Sequence, residues 1–451
     1  MQFDNESLAI LAKALKTLEQ GFEDLPEVSR NYNYSAISTV IQEIATKMQD
    51  NYPYFHPFYA GQMLKPPHPV ARIAYMLSLW INPNNHAIDG GRASSQMEKE
   101  AVAEIAGMFG WSKHLGHLTS GGTVANLEAL WISGKQNPDK LIVASEMAHY
   151  THSRISEVLR LPFQSVPCNE RAVMDLDALE KLLKTGAVGT VVATLGATGT
   201  GRVDPLPEIV DLKEKYGFRL HADAAYGGYF TLIENLSPTV RRAFDYLNRV
   251  DSIVVDPHKH GLQPYGCGCV LFSDPAVGRF YKHDSPYTYF SSNELHLGEI
   301  SLECSRAGAS AVALWATQKL LPMVRGGEFA TGLSRCRQAG VALYDRIKQD
   351  DRFRTIIEPD LDIVVWAPAA DTEKRISELS QSIFERAANY NLHLATFKYP
   401  SRLLKHSWQD IRLESEFVSC LRSCLMKPEH LDWLDSLWAI LVKASNESRR
   451  Q

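Results

Sequence analysis

The stretch Asp256-Pro257-His258-Lys259 directly follows an apolar run, Ser252-Ile253-Val254-Val255. A second acidic stretch, His221-Ala222-Asp223-Ala224-Ala225-Tyr226, precedes both along the chain. A charge at the end of a buried strand is costly unless it is paired, neutralised or used covalently. Together, Lys259 and Asp223 predict a lysine that holds an aldehyde cofactor as an imine and an aspartate that keeps the ring nitrogen of that cofactor protonated.

The composition is that of a large folded protein. The chain has 451 residues, of which 45% are hydrophobic, and this is enough for a large core and for more than one domain. The formal net charge is −5 and the basic residues are scattered, so neither nucleic acid nor an anionic membrane surface is an expected partner. The seven cysteines match no common zinc spacing, which predicts reduced thiols and no metal site.

Hydropathy gives no sign of a membrane segment. The N-terminal apolar run at residues 8–12 is too short for the core of a signal peptide. No apolar run reaches the roughly 18 to 20 residues that a transmembrane helix needs. We therefore expect a cytoplasmic protein.

Short β-branched runs alternate with helical patterns through the middle of the chain. The runs are 141–144, 190–195, 218–221, 252–255 and 269–272. Short, mostly apolar runs are typical of strands that are covered on both faces. The segments between them are long enough for crossover helices, so the pattern predicts an α/β fold with a mostly parallel sheet.

The two ends of the chain have patterns of their own. The residues before Pro67 are mostly helical in pattern, and the last third of the chain predicts a smaller α+β unit. Its predicted strands are 363–366, 392–397 and 418–426, and its predicted amphipathic closing helix is 429–444. The predicted organisation is an N-terminal helical segment, a large domain and a small C-terminal domain, with bounds 1–66, 67–328 and 329–451.

A glycine-rich turn, Thr119-Ser120-Gly121-Gly122-Thr123, opens a predicted helix. Glycines let a backbone approach an anion closely, and the free N–H groups of a helix start favour a phosphate. The alternative is an ordinary helix N-terminus with a threonine cap. The chain lacks a P-loop motif, a complete dinucleotide fingerprint, an H-E-x-x-H motif and a G-x-S-x-G motif.

Asp223 and His149 each follow a predicted strand, where ligands bind in open α/β sheets. A carboxylate beside a pyridine nitrogen keeps that nitrogen protonated, and a histidine ring can stack on a planar cofactor. The alternatives are a helix N-cap for Asp223 and a hydrogen-bonded structural residue for His149. The order of phosphate turn, histidine, aspartate and lysine along one α/β pattern favours the cofactor site.

These elements resemble the pyridoxal-phosphate (PLP)-dependent amino-acid decarboxylases, the group that includes aromatic amino-acid, histidine and glutamate decarboxylases. The resemblance covers roughly residues 56–438 and rests on the His221–Tyr226 stretch combined with Pro257-His258-Lys259. It implies a fold-type I enzyme with a mostly parallel seven-stranded sheet, and a homodimer with its active site at the interface. The helical segment before Pro67 is expected to clasp a partner subunit.

The resemblance also implies roles for single residues. Lys259 resembles the Schiff-base lysine, Asp223 the partner of the ring nitrogen and His149 the stacked histidine. The other implied cofactor contacts are Gly122, Thr123 and His258 for the phosphate, with Thr198 and Ala225 beside the ring.

Decarboxylation requires an acid that returns a proton to Cα after carbon dioxide leaves. In the family this acid is a tyrosine on a loop after the lysine, and here Tyr287 and Tyr289 fall in that window. Tyr287, directly after Pro286, is favoured over Tyr289. The alternative is that both are structural aromatic residues.

The substrate wall is expected to include Gln62 and Met63. The aromatic amino-acid enzymes carry a tyrosine at the position of Gln62, whereas glutamate-type enzymes carry glutamine, and an amide can hydrogen-bond a distal carboxylate. The substrate is therefore expected to be acidic or otherwise polar, as aspartate and glutamate are. Arg422 resembles an arginine that holds substrate, with His296 and Arg306 as further polar candidates; Arg306 could instead hold the subunit interface.

Other functions also fit the sequence. An aromatic L-amino-acid decarboxylase is the nearest alternative. The same fold and lysine also serve aminotransferases and carbon–carbon lyases. The alternative of another class is a PLP-binding protein without turnover.

Overall fold

The computed structural model describes residues 5–87, 90–282 and 300–450. The helices are α1 (Asn5–Gln20), α2 (Tyr34–Met48), α3 (Pro69–Ser78), α4 (Arg92–Met108), α5 (Gly122–Gln136), α6 (Thr151–Val158), α7 (Leu176–Leu183), α8 (Leu206–Tyr216), α9 (Pro238–Asp245), α10 (Gly308–Leu320), α11 (Glu328–Lys348), α12 (Glu373–Asn389) and α13 (Leu434–Arg449). The strands are β1 (Leu115–Thr119), β2 (Leu141–Ser145), β3 (Phe163–Val166), β4 (Val188–Thr194), β5 (Arg219–Asp223), β6 (Ser252–Val255), β7 (Gly268–Phe272), β8 (Phe353–Thr355), β9 (Ile363–Pro368), β10 (Ala395–Pro400) and β11 (Phe417–Cys424).

A seven-stranded sheet, in the order β1-β7-β6-β5-β4-β2-β3, forms the centre of the large unit. Only β7 runs against its neighbours, because it pairs antiparallel with both β1 and β6. Every residue of β4, β6 and β7 is buried, as strands covered by helices on both faces should be. The predicted α/β fold with a mostly parallel sheet is confirmed. All five apolar runs correspond to strands of this sheet. The edge strand β3 was not predicted, because Gln164 and Ser165 are exposed and the segment has no apolar run.

The strand ends of this sheet bring distant segments together. In the register of β4, β5 and β6, Thr194 lies opposite Asp223, and Asp223 lies opposite Val254. Helix α5 begins at Gly122, three residues after β1 ends at Thr119. Because β1, β2, β4, β5 and β6 all run in one direction, their following residues share one edge of the sheet, where open α/β sheets bind ligands.

A four-stranded antiparallel sheet, in the order β10-β11-β9-β8, forms the C-terminal unit. Its predicted strand 392–397 is wrong at its start, since β10 begins at Ala395. Residues 392–394 instead meet the N-terminal segment, where the Ala60 N–H donates to the His393 carbonyl at 2.9 Å. The closing helix α13 begins at Leu434, later than predicted, because Pro428–His430 form a short 3₁₀ turn. The predicted bounds of the three units stay a prediction.

Hydrogen bonds tie the small sheet to the large one beside the shared edge. The buried ion pair between Arg202 and Asp360 has an N–O distance of 2.7 Å. The Tyr226 hydroxyl donates to the Asp362 carboxylate at 2.7 Å. The Cys424 N–H donates to the Ala60 carbonyl at 2.8 Å, which places the segment around residue 60 against the end of β11.

Helix α2 carries an apolar stripe that remains exposed. Ile37, Val40, Ile41, Ile44 and Met48 follow helical spacing and are between 45% and 62% exposed. No residue of α2 is buried. Among the described residues, no helix combines the length and apolar content needed to cross a membrane.

Candidate active site

A cavity of about 370 Å³ opens at the shared strand edge of the large sheet. The eight residues predicted to contact a cofactor all line it, and they are Gly122, Thr123, His149, Thr198, Asp223, Ala225, His258 and Lys259. The structure therefore brings together side chains from five segments that are far apart in the chain. Lining residues without a predicted role include Asn126, Thr194, Tyr226 and Asp256.

The start of α5 forms one wall of the cavity. Among the described residues, the backbone N–H groups of Gly122 and Thr123 have no hydrogen-bond acceptor. A Cβ atom at Gly122 would lie 2.6 Å from a carboxylate oxygen of Asp256, so only glycine fits there. The His258 ring faces Tyr265 with centroids 4.7 Å apart, and its buried Nδ1 has no partner in the described structure. Free donors on a long helix start suit a phosphate group.

Lys259 lies in the turn after β6 and is paired within that turn. Its Nζ lies 2.9 Å from the Oδ2 atom of Asp256, and the Lys259 N–H donates to the Asp256 carbonyl. The Asp256 side chain is buried, and its Oδ1 has no hydrogen-bond partner among the described residues. Asp256 lies three residues before the lysine in the sequence, and no role was predicted for it.

The Asp223 carboxylate lies at the end of β5 and is held by two donors. His152 Nε2 lies 2.8 Å from Oδ2, and the Ala225 N–H donates to Oδ1 at 3.1 Å. Burial alone would raise the pKa of Asp223, but the hydrogen bond and charge of His152, together with the charge of Lys259, lower it below its ordinary value. Asp223 is therefore an anion that can face a protonated ring nitrogen.

His149 follows β2 and lies over the same cavity. The Thr151 N–H donates to His149 Nδ1 at 3.2 Å, so this nitrogen is an acceptor. Burial lowers the pKa of His149, and nearby Lys259 acts in the same direction. A neutral ring in this position can stack on a flat, charged cofactor without adding charge.

A buried polar chain supports the cavity wall behind Asp223. His221 Nδ1 lies 2.9 Å from the Ser252 hydroxyl, and its Nε2 lies 2.8 Å from Asn126 Oδ1. Asn126 also donates to the Gly122 carbonyl at 2.9 Å. Burial lowers the pKa of His221 to about 3, so the ring is neutral and bridges two strands to α5. The sequence indicates this hydrogen-bond network only through Asn126, a polar residue one turn into α5.

The predicted substrate residues Gln62 and Arg422 meet beside Thr198. Arg422 Nη2 donates to Gln62 Oε1 at 2.5 Å, and its Nη1 donates to the Thr198 carbonyl at 3.0 Å. The Met63 side chain instead packs against the hydrophobic core, while its carbonyl accepts a hydrogen bond from Tyr265.

The substrate candidates Gln62, Met63, Arg422 and Arg306 do not line the cavity themselves, and Arg422 reaches it through Thr198. Arg306 forms a buried ion pair with Glu98 at 2.7 Å and donates to the Leu118 carbonyl, so its bonds hold chain segments together, and its role toward substrate stays a prediction. Tyr287, Tyr289 and His296 lie outside the described residues.

The model of the pyridoxal-dependent decarboxylase conserved domain matches residues 23–367 of the chain. The chain belongs to this family. As a pyridoxal-dependent decarboxylase, it is a PLP-dependent carboxy-lyase that acts on an amino acid. The free donors of α5, the Asp223 anion, the flat His149 ring and the Lys259 amine all fit that cofactor. When bound, PLP supplies an electron-withdrawing ring that accepts the charge left as carbon dioxide departs.

Relatives of this decarboxylase have different substrates in their names. A probable L-tyrosine/L-aspartate decarboxylase of Methanothermobacter thermautotrophicus is 29% identical over 334 residues, which cover 72% of this chain and 87% of the relative. An L-2,4-diaminobutyrate decarboxylase of Acinetobacter baumannii is 30% identical over 369 residues, covering 73% of this chain and 71% of the relative. The fold is also similar to the crystal structure of Oryza sativa TDC with PLP and tryptamine, with a TM-score of 0.78, 17% identity and 99% of each chain covered.

Proposed function

We propose that this decarboxylase converts an acidic L-amino acid, aspartate or glutamate, to its amine and carbon dioxide. The observation that carries the proposal is the Arg422 guanidinium, which is 5% exposed and points its two terminal nitrogens at Gln62 and Thr198. Among the described residues, the hydrogen bonds of Arg422 go to an amide oxygen and a backbone carbonyl, not to a carboxylate, and its buried Nε has no partner. A buried cation without a counter-ion is costly, and an anionic substrate group removes that cost.

Gln62 adds a second donor beside Arg422. Its Oε1 accepts from Arg422, so its amide nitrogen is the end left free to donate. An aromatic side chain would gain little from two polar donors, and the cationic side chain of diaminobutyrate would be repelled by Arg422. The named substrates of the relatives include all three side-chain types, and the donor pair favours the acidic one.

The cavity geometry and the family support the other roles that we propose. Lys259 holds the cofactor, Asp223 faces its ring nitrogen and His149 covers its face. Gly122, Thr123 and His258 hold the phosphate, with Thr198 and Ala225 beside the ring. The site must orient the carboxylate that leaves so that the breaking bond stands perpendicular to the ring, and Arg422 anchors an anionic group of the substrate for that purpose.

A substrate panel tests the proposal. Purified protein with PLP is incubated with L-aspartate, L-glutamate, L-tyrosine and L-2,4-diaminobutyrate, and carbon dioxide release is measured to give kcat/KM. The expected result is the highest value for aspartate or glutamate. A higher kcat/KM for tyrosine or diaminobutyrate would overturn the proposed substrate class.

Tyr287 is the proposed donor of the proton to Cα, on the family resemblance alone. Tyr287→Phe should leave carbon dioxide release in place but shift product from amine toward aldehyde, with dioxygen as the oxidant and ammonia and hydrogen peroxide as the other products, whereas Tyr289→Phe should not. Separation of the two products by chromatography measures the shift. If neither variant changes rate or product, the donor is another group.

The protein is proposed to work as a homodimer in which α2 packs against the partner subunit. The exposed stripe from Ile37 to Met48 supports this, because an apolar face of that length is rarely left in water. Sedimentation should give twice the mass of one chain. Ile41→Asp should shift the protein toward monomer, whereas Thr39→Asp, on the opposite face of α2, should not. A monomeric wild-type enzyme with full activity would contradict the dimer.

A further inference from the structure

The Asp223 carboxylate has a buried partner that no part of the cavity requires. His152, in the first turn of α6, places Nε2 2.8 Å from Oδ2 of Asp223, and both side chains are buried. An ionised carboxylate only accepts hydrogen bonds, so Nε2 of His152 carries the proton and donates it. The other ring nitrogen, Nδ1, is buried without a partner among the described residues.

His152 does not line the cavity, so it acts on a ligand only through Asp223. The second carboxylate oxygen is already held by the Ala225 N–H at 3.1 Å. His221, Lys259 and His149 are the other titratable groups near this carboxylate, but none of them lies within hydrogen-bond distance of it. His152 is therefore the only side chain among the described residues that shares the carboxylate with an incoming ring nitrogen.

We propose that His152 is a positioning residue that takes up part of the charge of Asp223 and so weakens the hold of this carboxylate on the protonated ring nitrogen. The inference rests on the proposed role of Asp223 toward the ring. A carboxylate that already accepts a charge-assisted hydrogen bond is a weaker base toward a second donor. His152 also fixes the plane of the carboxylate, so that the remaining lone pairs of the oxygens face the cavity.

The consequence is that His152 sets how strongly the cofactor ring withdraws electrons. A ring nitrogen that shares its proton less tightly withdraws less charge from the substrate carbon, so the ring stabilises the developing charge less. Removal of the His152 donor should make Asp223 more basic and keep the ring nitrogen protonated to higher pH. This outcome concerns the protonation of the ring, which can be measured without turnover.

Nuclear magnetic resonance of the holoenzyme with ring-¹⁵N-labelled PLP provides the test. The ¹⁵N shift of the ring nitrogen is followed against pH in the wild type, His152→Leu and His152→Gln. For His152→Leu the midpoint should rise by about one pH unit, which is a tenfold gain in proton affinity. His152→Gln, which keeps a neutral donor, should stay close to the wild type.

Ser156→Ala is the matched control, because Ser156 is buried one turn along α6 and its hydroxyl makes no hydrogen bond among the described residues. It should leave the ¹⁵N midpoint unchanged. If His152→Leu binds PLP but has the wild-type midpoint, the role of His152 is overturned while the proposed function stands. If the wild-type protein forms no PLP absorbance band that Lys259→Ala abolishes, the proposed function fails first.

Discussion

The cofactor cradle (Gly122, His149, Asp223, His258 and Lys259) and the substrate wall (Gln62, Thr198 and Arg422) are built in different ways. Asp223 ends a strand of one sheet, and the other four residues of the cradle lie three or four residues after a strand of the same sheet, at one edge. The wall joins three segments, and the hydrogen bond between Gln62 and Arg422 links residues 360 positions apart. The cradle therefore depends on a single sheet, whereas the wall depends on how the N-terminal segment and the small sheet pack against the large one.

This difference separates chemistry from specificity. Strand ends in a sheet are held in place by ladder hydrogen bonds, on both sides for β2, β5 and β6, which suits groups that must hold one cofactor in one geometry. Side chains that meet across packed units can change one at a time without disturbing the sheet. The relatives share the decarboxylase chemistry while the substrates in their names differ, which is what such a division predicts.

The largest effect should come from the cradle. Lys259→Ala removes the amine that holds PLP, and also leaves Asp256 as a buried carboxylate without its ion-pair partner. We expect loss of the PLP absorbance band and a fall in kcat on the order of 10²- to 10⁴-fold, the range for removal of a positioned catalytic group. Spectra and single-turnover assays measure both. A variant that kept the band would show that another group holds the cofactor.

The wall should respond in substrate selectivity. Arg422→Met keeps the length of the side chain but removes the charge. We expect kcat/KM for aspartate or glutamate to fall about 10- to 150-fold, the cost of one hydrogen bond to a charged group. PLP affinity should stay unchanged, because Arg422 touches the cavity only through Thr198. An equal loss for acidic and aromatic substrates would mean that Arg422 acts on a group common to both and does not select the side chain.

The cradle could be predicted from the sequence because each of its residues sits beside a strand with a strong apolar signal. Val255 and its neighbours indicate a buried strand, so a lysine four residues later predicts a functional or paired amine. His152 has no such strand beside it. Its partner Asp223 is 71 residues away, and its own helix begins without a capping side chain. Nothing local distinguishes it from a structural histidine in a first helical turn.

The residues of the wall could be predicted from the sequence, but the contact between them could not. Gln62 and Arg422 were named from resemblance, but their contact depends on residues 392–394 meeting the N-terminal segment instead of extending β10. Arg306 lies in an equally polar stretch of sequence, and its carboxylate partner Glu98 lies 208 positions away. Sequence patterns carry the period of a strand or a helix but not the tertiary pairing of long polar side chains.

His149 tests whether the cradle relies on ring shape or on charge. Burial lowers the pKa of His149, so a neutral aromatic ring should replace most of its function. His149→Phe should keep PLP affinity near the wild-type value, whereas His149→Ala should weaken it by about 2- to 10-fold, the worth of one aromatic contact. Fluorescence titration of the apoprotein with PLP measures both. Equal losses for the two variants would assign a polar role to the imidazole.

The effect of Gln62 should be about as small as that of His149, and it decides whether the wall acts as one unit. Gln62→Leu removes the acceptor for Arg422 Nη2 but leaves the bond from Nη1 to the Thr198 carbonyl. We expect kcat/KM for the acidic substrate to fall about 2- to 12-fold, the net worth of one hydrogen bond. The double variant Gln62→Leu/Arg422→Met should be no slower than Arg422→Met alone, because two residues that act on one substrate group are coupled. Additive losses in this cycle would mean that Gln62 contacts the substrate independently of Arg422, and the wall would then be two separate contacts.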